Sequence, residues 1–433
     1  MDCDGAEGLP CPPRKEAGAT RHDGLECGAL AAMDPMNARA ATLPPTALII
    51  GMTIASQLPM TIYLPAVPAM ATDLGIPAAQ VQLVVPAFLG AFALAQLFIG
   101  PVSDAFGRRP VALLGLALLG LASVGCAVAP DLATLLVARI VQAIGACVSI
   151  VVGRAIIRDT AEGPAAARAM AWVAAAMGLG PAVAPVAGGY LLLLADWPIT
   201  FHAIGLAAAL VLVAGLLRLR ESLPPGLRQP ARIGSHLRSY VLVARQRSLV
   251  GYALGVTLCS SAFVPFMIAA PVLLMEHRGV SPEAFGFLVL LVPGTFMTGS
   301  WIAGLIAPRV DPDRTIGLCF PLALTGVLIP AVLGEAASSA VLVGSMMLWN
   351  MGNAIIFVFC YARGMAGVSP SMAGAASGLM GFVHFGWSFV LALICAALPM
   401  TTMWMGITQA VTVALGALAF LLIARPWRRA GKT

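Results

Sequence analysis

Apolar residues in this chain run in blocks rather than alternating with polar ones. From residue 46 onward, stretches of about 20 mostly apolar residues recur between short polar breaks, the length that crosses a bilayer core as an α-helix. Measured this way, the blocks fall at 46–68, 82–101, 110–129, 132–153, 169–193, 200–217, 249–274, 285–307, 315–333, 340–361, 373–398 and 402–424, which predicts twelve transmembrane helices. The tightest break lies within 110–153, where only Ala129, Pro130 and Asp131 divide two blocks. Pro59, Pro65, Pro181, Pro185 and Pro265 sit inside blocks. In lipid they do not argue against helix, because neighbouring helices can satisfy the backbone groups they free.

Residues 218–247 are the longest polar stretch between blocks and divide them six and six. The expected architecture is an all-α membrane protein with twelve transmembrane helices in two six-helix halves, at 45–219 and 248–424, joined by a linker at 220–247. Residues 1–44 are rich in Pro, Gly and charge and lack an early apolar run, so they read as a disordered cytoplasmic tail and not a signal peptide. Residues 425–433 form a second tail. Gly100–Val111 and Gly304–Ile316 occupy matching loops of the two halves, a faint internal repeat.

Composition agrees: hydrophobic residues make up 60% and charged ones 10%, against about 25% charged in soluble domains. All of the 25 basic residues except Arg139 and Arg278 fall on one side of the alternating breaks. The positive-inside rule then puts both termini and the linker in the cytoplasm. The nine cysteines form no CxxC pair and mostly lie in apolar runs, as packing residues do. No phosphate-binding glycine loop, HExxH or GxSxG motif is present, so nothing points to an ATPase, metalloprotease or hydrolase. No cofactor, metal or nucleic acid is expected. The lipid bilayer is an expected partner, and the chain is expected to act as a monomer.

Several polar residues stand out against this background. Gly100-Pro101-Val102-Ser103-Asp104-Ala105-Phe106-Gly107-Arg108-Arg109-Pro110 joins the second and third blocks, and reads as a tight turn. Gly100 and Gly107 allow close backbone approach. Asp104 is placed to meet a helix N-terminus from the other half. Arg139 lies inside the fourth block with Gln142 on the same face. A guanidinium at that depth is costly and reads as a cavity-lining residue; the bland alternative is an arginine that snorkels to the interface. Asn350 with Asn353, and His384 with Trp387, repeat the three-residue spacing and suit either a polar path or interhelical bonds. Gln57, Gln96 and Phe263 are weaker cavity candidates. In the fifth block, Gly180, Gly188 and Gly189 permit close packing while Pro181 and Pro185 bend the helix, which suits a seal between rocking halves.

The loop at 100–110 resembles the GxxxDRxGRR signature of the major facilitator superfamily. The resemblance extends over residues 45–425 and is closer to the Bcr/CflA group of drug-efflux carriers. Tyr63-Leu64-Pro65-Ala66-Val67-Pro68, Arg139-Ile140-Val141-Gln142-Ala143-Ile144-Gly145 and Ala184-Pro185-Val186-Ala187-Gly188-Gly189 are similar to that group's first, fourth and fifth spans. The resemblance implies a secondary transporter exporting drug-like molecules across the bacterial inner membrane by alternating access, in antiport with protons. In it Tyr63 and Arg139 take part in substrate or proton handling.

Two departures bear on mechanism. Ala105 follows Asp104 where the signature has Arg, and Thr61 stands where the group's first span carries an Asp. No Asp or Glu falls inside any block, which leaves Glu276, Asp104 or His384 to carry a proton. A sugar or metabolite carrier would need more polar groups, for which Gln142, Asn350 and Asn353 are the material. A membrane enzyme or receptor would need convergent catalytic residues or a signalling domain, and the chain offers neither.

Overall fold

A computed structural model describes residues 46–228, 233–369 and 372–424. Both expected tails, with Cys3, Cys11 and Cys27, lie outside the described residues.

Twelve helices in the described residues are long and apolar enough to cross a bilayer: Thr46–Asp73, Ala78–Phe106, Arg108–Ala127, Leu132–Thr160, Arg168–Leu191, Pro198–Arg218, Arg247–Glu276, Pro282–Ile306, Pro312–Ala336, Ser339–Met365, Gly374–Ala397 and Thr402–Ala424. We number them as the first to twelfth spans. The narrow break at 129–131 holds because Asp131 caps the fourth span, its carboxylate accepting from the Thr134 N–H at 2.8 Å. That bond holds the exposed Asp131 carboxyl below its ordinary pKa. Asp311, Ser338 and Thr401 cap the ninth, tenth and twelfth spans in the same way.

Prolines shape the spans without ending them. The first passes through a 3₁₀ turn at Leu64–Ala66, and the seventh breaks after Ser261 and again at a π turn over Pro271–Glu276. The second span packs along the eleventh and the fifth along the eighth, so helices before and after the linker meet along two seams. A linker helix, Ile233–Ala244, lies against the second and eleventh spans. Large apolar side chains cover the outside: Leu217 and Val332 are each 80% exposed, a surface only a bilayer can solvate.

Two expectations need correction. Residues 100–106 are not a turn: the second span stays helical through Phe106, and Gly107 alone breaks the chain, at φ 100°. Acids do lie within spans. Asp73, Asp104, Asp159, Glu276, Glu283, Asp313 and Glu335 all fall near the ends of helices that run past the apolar blocks. Asp313 is buried, because Asp311 and Pro312 start the ninth span earlier than hydropathy suggests.

Candidate functional site

A partly open cavity of about 200 Å³ lies within the bundle, and Tyr63, Arg139, Phe263, His384, Ser261 and Ser388 are among its lining residues. These come from the first, fourth, seventh and eleventh spans. Arg139 is 1% exposed. Its Nη1 donates to the Pro59 carbonyl at 2.9 Å and to Gln142 Oε1 at 2.6 Å. Gln142 donates onward to Ser123 Oγ at 2.8 Å. The guanidinium carbon lies 4.6 Å from the Tyr63 ring centroid and 4.5 Å from that of Phe88, within cation–π range. The arginine is held in the interior and does not snorkel.

Proline chemistry explains the polar residues of the first span. A proline at 181 has no N–H for the carbonyl four residues earlier. That carbonyl, on Met177, accepts instead from Gln57 Nε2 at 3.1 Å. Pro185 likewise frees the Pro181 carbonyl, which accepts from the Thr61 hydroxyl at 3.2 Å. Gln57 is thereby a clasp between the first and fifth spans, not a cavity wall. Further along, backbones touch. A Cβ on Gly189 would come within 2.5 Å of the Pro282 carbonyl oxygen, and one on Gly188 would collide with that of Ile62. Gly180 faces the Gln57 side chain. The fifth span is therefore packed tightly between the first and the eighth.

At the arginine-rich end, Arg108 is buried at the junction of the second and third spans. It pairs with Asp104 at 2.5 Å and Asp159 at 2.8 Å, and also donates to Ser103 Oγ. Asp104 thus meets the first residue of the next span in its own half, and not a helix of the other half. Glu221 takes the helix-terminus role: its carboxylate accepts from the backbone N–H of Arg108 at 2.8 Å and of Arg109 at 3.3 Å. Arg109 also donates to the Leu216 carbonyl. Gly100, expected at a close approach, has nothing within 4 Å of a Cβ placed on it. The tenth and ninth spans carry a comparable cluster, with Asp313 accepting from Arg363 at 2.7 Å and from the Tyr252 hydroxyl.

The remaining candidates scatter. Asn353 donates to Asn350 Oδ1 at 3.1 Å and accepts from Ser260, while Asn350 donates to the Val292 carbonyl at 2.8 Å. This chain ties the seventh, eighth and tenth spans together. Gln96 packs against Gly381. Trp387 lines a separate groove of about 1000 Å³ among the second, seventh, eleventh and twelfth spans, and His384 does not. Sequence reasoning missed Ser260, Ser261, Ser388, Phe88 and Phe385, which also line the cavity. Single serines and phenylalanines in an apolar block carry no signal of their own. Ser103, Asp159 and Glu221 were missed as partners of the loop signature, since nothing in spacing links residues so far apart.

A twelve-span bundle with two inter-helix seams around an interior polar centre defines a membrane carrier. The chain belongs to the Major Facilitator Superfamily, which residues 49–393 match. It is 31% identical over 381 residues to the Uncharacterized MFS-type transporter YdgK of Bacillus subtilis, covering 86% of this chain and 94% of that one. It is 25% identical over 387 residues to the Bicyclomycin resistance protein homolog of Haemophilus influenzae, covering 87% and 95%. To the Multidrug resistance protein MdtL of Escherichia coli it is 31% identical over 251 residues, 57% of this chain and 63% of that one. The fold is shared with the human organic anion transporter MFSD10 (TM-score 0.61, 21% identity, 87% of this chain and 98% of that). It is also shared with the xylose transporter XylE of Escherichia coli (TM-score 0.66, 15% identity, 90% and 98%). The chain is a multi-pass membrane transporter and not an enzyme.

Proposed function

We propose that this carrier exports small, mostly apolar drug-like molecules across the bacterial inner membrane by alternating access, with both termini and the linker in the cytoplasm. The observation that carries this reading is the cavity around Arg139, whose other walls are largely apolar. Two halves, 45–219 and 248–424, rock about it. The second–eleventh and fifth–eighth seams are the surfaces that slide, and the Gly188–Gly189 contacts seal the outer side. The relatives named for bicyclomycin and multidrug resistance support the substrate class. A sugar or metabolite carrier is disfavoured, because Gln142, Asn350 and Asn353 spend their hydrogen bonds on the protein.

Proton antiport is the coupling the resemblance implies. Asp104 is engaged by Arg108 and Glu276 lies at the end of the seventh span, whereas His384 lines the cavity. We assign the proton to His384. A resistance panel in a pump-deficient host tests the export reading: expression raises tolerance to at least one apolar antibiotic, and Arg139→Ala abolishes the gain. No gain for any compound from a protein that is present in the membrane contradicts it.

A further inference from the structure

We propose that the carried compound is an anion, a carboxylate or sulfonate on a compact apolar body, whose negative group pairs with Arg139. This rests on the export reading and narrows its substrate class.

Burying a guanidinium without an opposite charge is unfavourable, and proteins ordinarily pair it. This chain does so elsewhere: Arg108 has Asp104 and Asp159, Arg278 has Glu335, and Arg363 has Asp313. Arg139 is more deeply buried than any of these, yet among the described residues no carboxylate lies within 4.0 Å of it. Its partners are neutral: one carbonyl, one amide oxygen and two ring faces.

The unused edge of the guanidinium has a particular shape. Both hydrogen bonds leave from Nη1. Nε is buried and has no hydrogen-bond partner among the described residues. The Nε–Nη2 edge presents two parallel N–H groups, the fork that a carboxylate or sulfonate accepts with two oxygens. Beside it, the buried Tyr63 hydroxyl lies in the field of the same arginine without a hydrogen-bond partner of good geometry. Arg139 and Tyr63 both line the cavity, and Phe88, Phe263, Val264 and Met267 supply its apolar walls. A volume of about 200 Å³ suits a body of one or two rings. Further along the fourth span, Arg154 also has no carboxylate in ion-pair range among the described residues; its Nε donates to the Ile150 carbonyl, at 3.4 Å, and it lies within electrostatic reach of Tyr361 on the tenth span. Among the described residues no acid pairs with Arg139, so the substrate supplies the counter-charge. An exported anion also moves with an interior-negative potential, which at about 100 mV supports roughly a 50-fold outward gradient of a monovalent species.

The test uses the full chain in nanodiscs and three probes of one shape: 2-naphthalenesulfonate, naphthalene-2-sulfonamide and trimethyl(2-naphthyl)ammonium. Calorimetric titration is expected to rank the sulfonate at least about tenfold tighter than the sulfonamide, as a charge-assisted bond requires, with the ammonium weakest. Arg139→Gln is expected to remove that preference, bringing sulfonate binding down to the level of the sulfonamide, and Arg139→Lys to keep part of it. Tyr63→Phe, which keeps the ring, is expected to weaken the sulfonate several-fold, so the claim stays open to refutation even where Arg139→Gln does not fold. Sulfonamide or ammonium binding as tight as sulfonate in the wild-type protein overturns the assignment. Flux into proteoliposomes separates it from the export reading: flux of the sulfonamide alone overturns the anion claim and leaves export standing. Sulfonate-selective binding with no flux of any probe supports the anion claim and overturns export.

Discussion

Prolines in the fifth span turn two ordinary polar side chains of the first span into structural necessities. Gln57 and Thr61 each satisfy a carbonyl that Pro181 or Pro185 has freed. Thr61 stands where the resembled group has an acid, and here a hydroxyl donor is what the neighbouring carbonyl needs. Gln57→Leu and Thr61→Val are each expected to lower stability by about 0.5–1.5 kcal/mol, the range for interhelical bonds in membranes. Thermal denaturation in detergent checks this, and unchanged midpoints would refute the clasp. Arg139 is legible in the sequence because a charge in an apolar block has few innocent explanations. The Asn350–Asn353 pair was ambiguous for a physical reason: three-residue spacing fixes a shared face but not which helix that face meets. The partners, Ser260 and the Val292 carbonyl, lie on other spans. Serines of the cavity wall were invisible because small hydroxyl residues bond their own helix as readily as anything else, as Ser261 does to Thr257.

Helix ends carry the corrections at the scale of elements. Hydropathy marks the apolar middle of a span, so the number of spans and the narrow break at 129–131 follow from it. It falls off before the helix does. The second span continues through Asp104 to Phe106, and the ninth begins at Pro312, because caps and ion pairs support helix beyond the apolar block. Gly107 is the element boundary that chemistry imposes. At φ 100° only glycine is unstrained, and a Cβ there would also press on Glu221 Oε2. Gly107→Ala is expected to cost about 1–2 kcal/mol through the backbone alone, read as a lower melting midpoint. Asp313→Asn removes the charge that Arg363 and Tyr252 share. The Arg363 side chain is 39% exposed, so solvent screens the loss. A fall of about 1–3 kcal/mol is expected, and Arg363→Met in the same chain is expected to recover part of it. A single mutant as stable as wild type would show the cluster to be incidental.

At the scale of the whole molecule, the proposed rocking of the halves turns on the two seams. The fifth and eighth spans touch backbone to backbone, since a Cβ on Gly286 would lie 2.8 Å from the Pro185 carbonyl oxygen. Gly286→Leu is expected to wedge this seam and cut transport by more than about tenfold, the loss that misplacing a closing element brings, while the protein still inserts. Normal flux in that variant would deny the seam its gating role. The six-plus-six layout followed from the polar linker and the placement of arginine, but the seams did not. Which helices meet across the halves depends on small residues whose partners lie about one hundred to three hundred positions away. On coupling, assignment of the proton to His384 predicts that His384→Gln keeps downhill flux and loses its response to a pH gradient.

The most direct test of the central claim is counterflow in proteoliposomes that contain the full chain and are preloaded with an unlabelled compound identified by the resistance panel. The account predicts transient, saturable accumulation of the labelled compound, absent from Arg139→Ala vesicles holding the same amount of folded protein. Accumulation no greater than in protein-free vesicles, or unchanged by Arg139→Ala, would contradict a carrier that works through this cavity.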